Sequence, residues 1–98
     1  MTDENKLLRQ SKRGAEAKQI LEHELFIEAT EKLESDLTQI FKESSLSDDA
    51  SRRMARESLG LLVNLKTYLM QVMTTGDAAR KQLIDLREPS RLRRMMHV

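Results

Sequence analysis

Ala55 to Leu86, ARESLGLLVNLKTYLMQVMTTGDAARKQLIDL, decides the fold. Ala55, Leu62, Leu69, Gly76 and Leu83 recur every seven residues, and Ser58, Leu65, Val72, Ala79 and Leu86 fall between them. The steps alternate three and four without a slip, which is the seam of a coiled-coil-like helix. Gly76 falls in phase, so one helix is expected to run through it at a cost of about 1 kcal/mol against alanine. The competing reading breaks the helix at Thr74-Thr75-Gly76-Asp77, with Gly76 closing one helix and Asp77 capping the next. Pro89 has no N–H to continue a helix. Asp48 or Asp49 can cap the start. The helix is therefore predicted over about 49–87.

Upstream, Phe26, Ala29, Leu33, Leu37 and Ile40 are spaced three, four, four and three apart, one face of a second helix. Leu21, Leu25 and Phe41 widen that stripe. The serines and aspartates of 44–49 favour turns and caps, which sets this helix at about 15–44, roughly 45 Å long at 1.5 Å per residue. The short connection makes the two helices antiparallel neighbours. Residues 1–14 hold only Leu7 and Leu8 as apolar anchors and close at Gly14, so they read as a basic arm, flexible or weakly helical. Residues 88–98 read as a basic tail. The expected class is all-α, a long antiparallel helical hairpin that assembles into a four-helix bundle or a ring. Composition agrees: the 98 residues include one proline, three glycines and 3% aromatics, too few for a sheet-rich domain, and no cysteine for a disulfide scaffold.

The formal net charge of +1 is a cancellation. Residues 15–47 carry eight acidic and three basic groups, whereas 1–14 are net +2 and 87–98 net +3. An antiparallel hairpin would bring Lys6, Arg9, Lys12 and Arg13 of the arm to the same end as Arg87, Arg91, Arg93 and Arg94 of the tail. That cluster is a candidate contact for the phosphates of double-stranded DNA. It has no aromatic for stacking single-stranded bases. Arg52, Arg53 and Arg56 lie in the first turns of the seam helix, the wrong end of its dipole for a cation, which hints at a contact there.

The seam helix carries more apolar surface than one partner helix can cover. Ten of the fifteen residues from Leu59 to Met73 are apolar or tyrosine. Leu59, Leu61, Leu62, Val63, Leu65, Leu69, Met70, Val72 and Met73 are the expected oligomer interface. Asn64, Lys66 and Gln71 interrupt the run, so no membrane span is expected. The N-terminus lacks a signal-peptide core, and a cytoplasmic protein is the expectation.

Catalysis finds no support in the sequence. There is no cysteine, no Gly-x-Ser-x-Gly and no glycine-rich phosphate loop. Glu24, Glu28 and Glu31 share a helix face, but neither His23 nor His97 has the glutamate three residues earlier that a bundle di-metal site needs. No metal or other cofactor is expected.

Glu24-Leu25-Phe26-Ile27-Glu28-Ala29, the Ser/Asp-rich turn, the Arg-rich helix start, Leu61-Leu62 and the Gly76-x-Ala78-Ala79-x-Lys81-Gln82-Leu83 close resemble small helical proteins of tailed double-stranded-DNA bacteriophages. The resemblance covers roughly residues 15–86 and leaves out the basic tail. It implies a phage gene product acting in virion assembly or DNA packaging, in the manner of a small terminase subunit, placed in the host cytoplasm or the virion. It assigns no site residues. The alternative is a small regulator that binds a host or phage protein through the same apolar face.

Overall fold

The computed structural model describes residues 4–87. They form three helices, α1 (Glu4–Glu22), α2 (Glu24–Glu43) and α3 (Asp49–Arg87), with no strand among the described residues. The fold is all-α. Two compact units divide it. One gathers α1 up to Lys18 with α3 from Met70 onward, and the other runs from Gln19 to Leu69.

α3 is continuous through Gly76, as the heptad register requires. Ala55, Leu62, Gly76, Ala79 and Leu83 are buried, and Ser58, Leu69 and Val72 are half-buried. Leu65 and Leu86, the other two seam positions, are exposed. Asp48 caps the helix, its Oδ1 accepting from the Ser51 N–H at 3.2 Å.

In the unit from Gln19 to Leu69, α2 and α3 are antiparallel. The Arg52 guanidinium, at the start of α3, donates to the carbonyls of Phe41 and Ser44 at the end of α2 (3.4 and 3.5 Å). It also lies 4.3 Å from the centre of the Phe41 ring. These contacts satisfy carbonyls that a helix end leaves without partners. Arg52 is thus a C-terminal cap for α2. This accounts for its position at the unfavourable end of its own helix dipole. Ser44 assists, its N–H donating to the Ile40 carbonyl at 3.0 Å.

The α2 stripe is rotated from the predicted one. Phe26, Leu37 and Phe41 turn inward, but the most buried residue is Thr30, 6% exposed. Ala29, Leu33 and Ile40 are exposed. A hydrophobicity pattern counts threonine as polar. Here its Oγ1 donates within its own helix, 2.9 Å from the Phe26 carbonyl and 3.1 Å from that of Ile27. With the hydroxyl satisfied locally, burial carries no unmet hydrogen bond.

Two further expectations change. The first 14 residues, expected to be a flexible or weakly helical arm closed by Gly14, are part of a regular helix that runs from Glu4 through Gly14 to Glu22. The second change is that 15–44 is two helices rather than one. The break is at His23, whose ψ of 128° leaves the helical region. Its Nδ1 accepts from the Leu25 N–H at 3.1 Å, so the imidazole caps α2. No glycine or proline marks this break.

In the other unit, α1 meets α3 backbone to backbone at Gly14 and Gly76. A Cβ built on Gly14 would come within 2.6 Å of the Gly76 Cα, and one on Gly76 within 2.5 Å of the Gly14 Cα. Only glycine permits that approach. Ala17 and Ala79 are buried with them. Gly14 is a contact residue in a continuing helix, not a terminator. This contact is made by small residues, so the scarcity of large apolar side chains in 1–14 does not prevent it.

Candidate interaction surfaces

The nine residues expected at an oligomer interface divide by their placement. Leu62 is 9% exposed, so it belongs to the chain's own core. Leu59, Leu69, Val72 and Met73 are half-buried. Leu61, Val63, Leu65 and Met70 are exposed, between 48 and 69%. A helix pair buries one stripe of each helix, and these four lie on the flanks of the α3 stripe. Leu62 reads the same as its neighbours in composition. Only its place in the register separates it from them.

The two sides of the α2–α3 pair differ in chemistry. Each residue along a helix turns by about 100°, so the residue after an inward position falls on one side and the residue before it on the other. Because α2 and α3 run in opposite directions, the "after" positions of both helices share a side. A shallow groove confirms it: Glu31, Glu34, Ser35, Thr38, Gln39 and Lys42 of α2 line it with Lys66 of α3. That side of α2 is polar apart from Ile27, which follows Phe26. The "before" positions are Leu25, Ala29, Asp36 and Ile40 on α2, and Met54, Leu61 and Tyr68 on α3. Leu33 and Leu65 lie beside them. This side is mostly apolar on both helices, with Asp36 the charged residue among these nine, and all nine are exposed.

The basic candidates are partly described. Lys6, Arg9, Lys12 and Arg13 are exposed on α1, and Arg87 is exposed on α3. Because the segment is helical, Lys6, Arg9 and Arg13, at steps of three and four, share one face. A coil would have given them no common direction. Arg91, Arg93 and Arg94 lie outside the described residues. Arg53 and Arg56 are exposed, unlike Arg52.

Among the described residues, no three His, Asp or Glu side chains approach closely enough to hold a metal ion. Glu24, Glu28 and Glu31 are all exposed. No helix among the described residues is long and apolar enough to cross a membrane. No protein-family model, curated protein or solved structure matches this chain.

Proposed function

We propose that this protein is a non-catalytic helical interaction protein that self-associates through the apolar flanks of α3. We propose further that it serves in bacteriophage virion assembly or DNA packaging, as a small terminase subunit does. The observation that carries self-association is the exposure of Leu61, Val63, Leu65 and Met70 on a helix already paired along its seam. Large apolar side chains exposed on both flanks of one helix are the surface an interaction would cover. The helical array of Lys6, Arg9 and Arg13 supports contact with duplex phosphates, which needs several cations held in one direction. The phage assignment rests on the sequence resemblance.

The test is duplex DNA binding by the full chain, measured against salt. Binding at low salt is expected, with log affinity falling linearly as log salt rises. Lys6→Ala with Arg9→Ala should weaken binding across all duplex sequences and flatten that slope by about 2. Absence of binding at low salt would remove the packaging role and leave a protein-binding regulator.

A further inference from the structure

We infer that duplex DNA is held on one side of the unit formed by α1 and the second half of α3, by a row of cations on α1 and a row of uncharged hydrogen-bonding side chains on α3. This rests on the nucleic-acid reading above. It adds the side that is used and the residues of α3 that share it.

The unit holds α1 up to Lys18 and α3 from Met70 onward. The two places where the chain leaves it lie together, so the helices run antiparallel. As in the α2–α3 pair, the residues that precede inward positions then share a side. On α1, Lys6, Arg9, Arg13 and Glu16 precede Leu7, Gln10, Gly14 and Ala17. On α3, Gln71, Thr75, Ala78 and Gln82 precede Val72, Gly76, Ala79 and Leu83. Both rows are exposed throughout. With Gly14 against Gly76, Lys6 falls within a turn of the height of Gln82, Arg9 of Ala78 and Arg13 of Thr75. The glycine contact sets the helix axes about 8 Å apart, the short end of the usual range. The three cations span about 10 Å along α1.

Net charge does not choose this side. The residues that follow inward positions, on the other side, include three cations, Lys12, Lys18 and Arg80, and one acid, Asp77. The row described above also has three cations and one acid. The neighbours make the difference. On the other side Arg80 is paired with Asp77 at 3.7 Å, and exposed Leu8 and Ile84 stand among the cations. On the side assigned, the acid is Glu16, at the end of the row and one turn beyond Arg13. There α3 contributes a hydroxyl and two amides and no charge.

That composition fits a nucleic-acid backbone. A duplex carries one charge per about 1.7 Å of its axis. Its phosphate and sugar oxygens accept from Thr and Gln as well as from Lys and Arg. A protein partner would want an apolar or aromatic anchor at the centre of the contact. A lipid surface would want large apolar side chains beside the cations. In these two rows Ala78 is the one apolar residue.

The test is binding of the full chain to a short mixed-sequence DNA duplex, read by fluorescence anisotropy across a salt series. Circular dichroism checks that each variant keeps its helix. Thr75→Ala with Gln82→Ala should weaken binding about tenfold. The salt slope should stay as in the wild type, because neutral donors release no counterions. Glu16→Gln should strengthen binding about threefold at low salt and less at high salt. Lys18→Ala with Arg80→Ala should weaken it by less than about threefold. A large loss from that last pair, with none from Thr75→Ala and Gln82→Ala, would overturn the side while leaving DNA binding intact. Polyglutamate that competes as well as unlabelled duplex would overturn the choice of DNA in favour of an acidic protein. A wild-type chain that binds no duplex at low salt would overturn the nucleic-acid reading itself.

Discussion

Against the second half of α3, α1 places Gly14 and Ala17. Against the first half, α2 places Phe26, Thr30, Leu37 and Phe41. The first contact brings backbone to within van der Waals distance of backbone. It gains from close packing of small residues, each atom pair contributing little and the sum a good deal. The second uses large side chains, an arginine cap and a bonded threonine, and it leaves the apolar flanks of both helices exposed. A close contact between small residues gains from precision and tolerates no added atom. A contact between large side chains gains from area and tolerates change, but two helices alone leave much of that area uncovered. The α2 region is therefore the one we propose takes a partner.

Substitutions at these two contacts should respond differently, measured by urea unfolding at fixed protein concentration because self-association shifts apparent stability. The largest effect is expected for Gly76→Leu. A side chain there meets the Gly14 backbone, and overpacking against a backbone that cannot yield should cost about 3 kcal/mol. A cost below about 1 kcal/mol would mean that the glycine crossing is loose.

Leu62→Ala should come next, at about 2–3 kcal/mol, because it removes a buried side chain. Leu61→Ala, one residue away and exposed, should change the unfolding midpoint chiefly through self-association. Its effect should therefore shrink on dilution, whereas that of Leu62→Ala should persist. Equal, concentration-independent losses at both positions would erase the distinction between seam and flank.

Arg52→Ala should cost about 1 kcal/mol, from the lost aromatic contact and the lost carbonyl partners of α2. Arg53→Ala, at an exposed position, should be neutral within about 0.5 kcal/mol. The last expected effect has the opposite sign. A Cβ on Gly60 meets nothing within 4 Å. Gly60→Ala should therefore stabilise the helix by about 0.5–1 kcal/mol. Destabilisation by Gly60→Ala would show that an unseen contact covers that face.

Much of α3 was legible in the sequence because its information is periodic. The heptad register carries the helix through Gly76, and Asp48 marks its start. Thr30 was not legible, because its hydroxyl is satisfied by a backbone carbonyl that composition does not display. The break at His23 was hidden for a related reason: histidine is an uncommon cap, and the signal is one ring nitrogen accepting one N–H. Gly14 misled because a glycine ends a helix as readily as it allows another helix to approach, and only the presence of Gly76 decides between them. The apolar surplus on α3 was legible, but its division into core and flank needed the register of α2. Leu62 therefore moved from the expected interface to the core, and Leu33 and Ile40 moved from the core stripe to the surface.

The central claim is that the α2–α3 pair is completed by a second copy of the chain. Sedimentation equilibrium of the full chain tests it over a wide concentration range. The account predicts a mass approaching twice the 11.4 kDa of the chain, falling toward the single-chain value on dilution. A mass of 11.4 kDa at every concentration would contradict it.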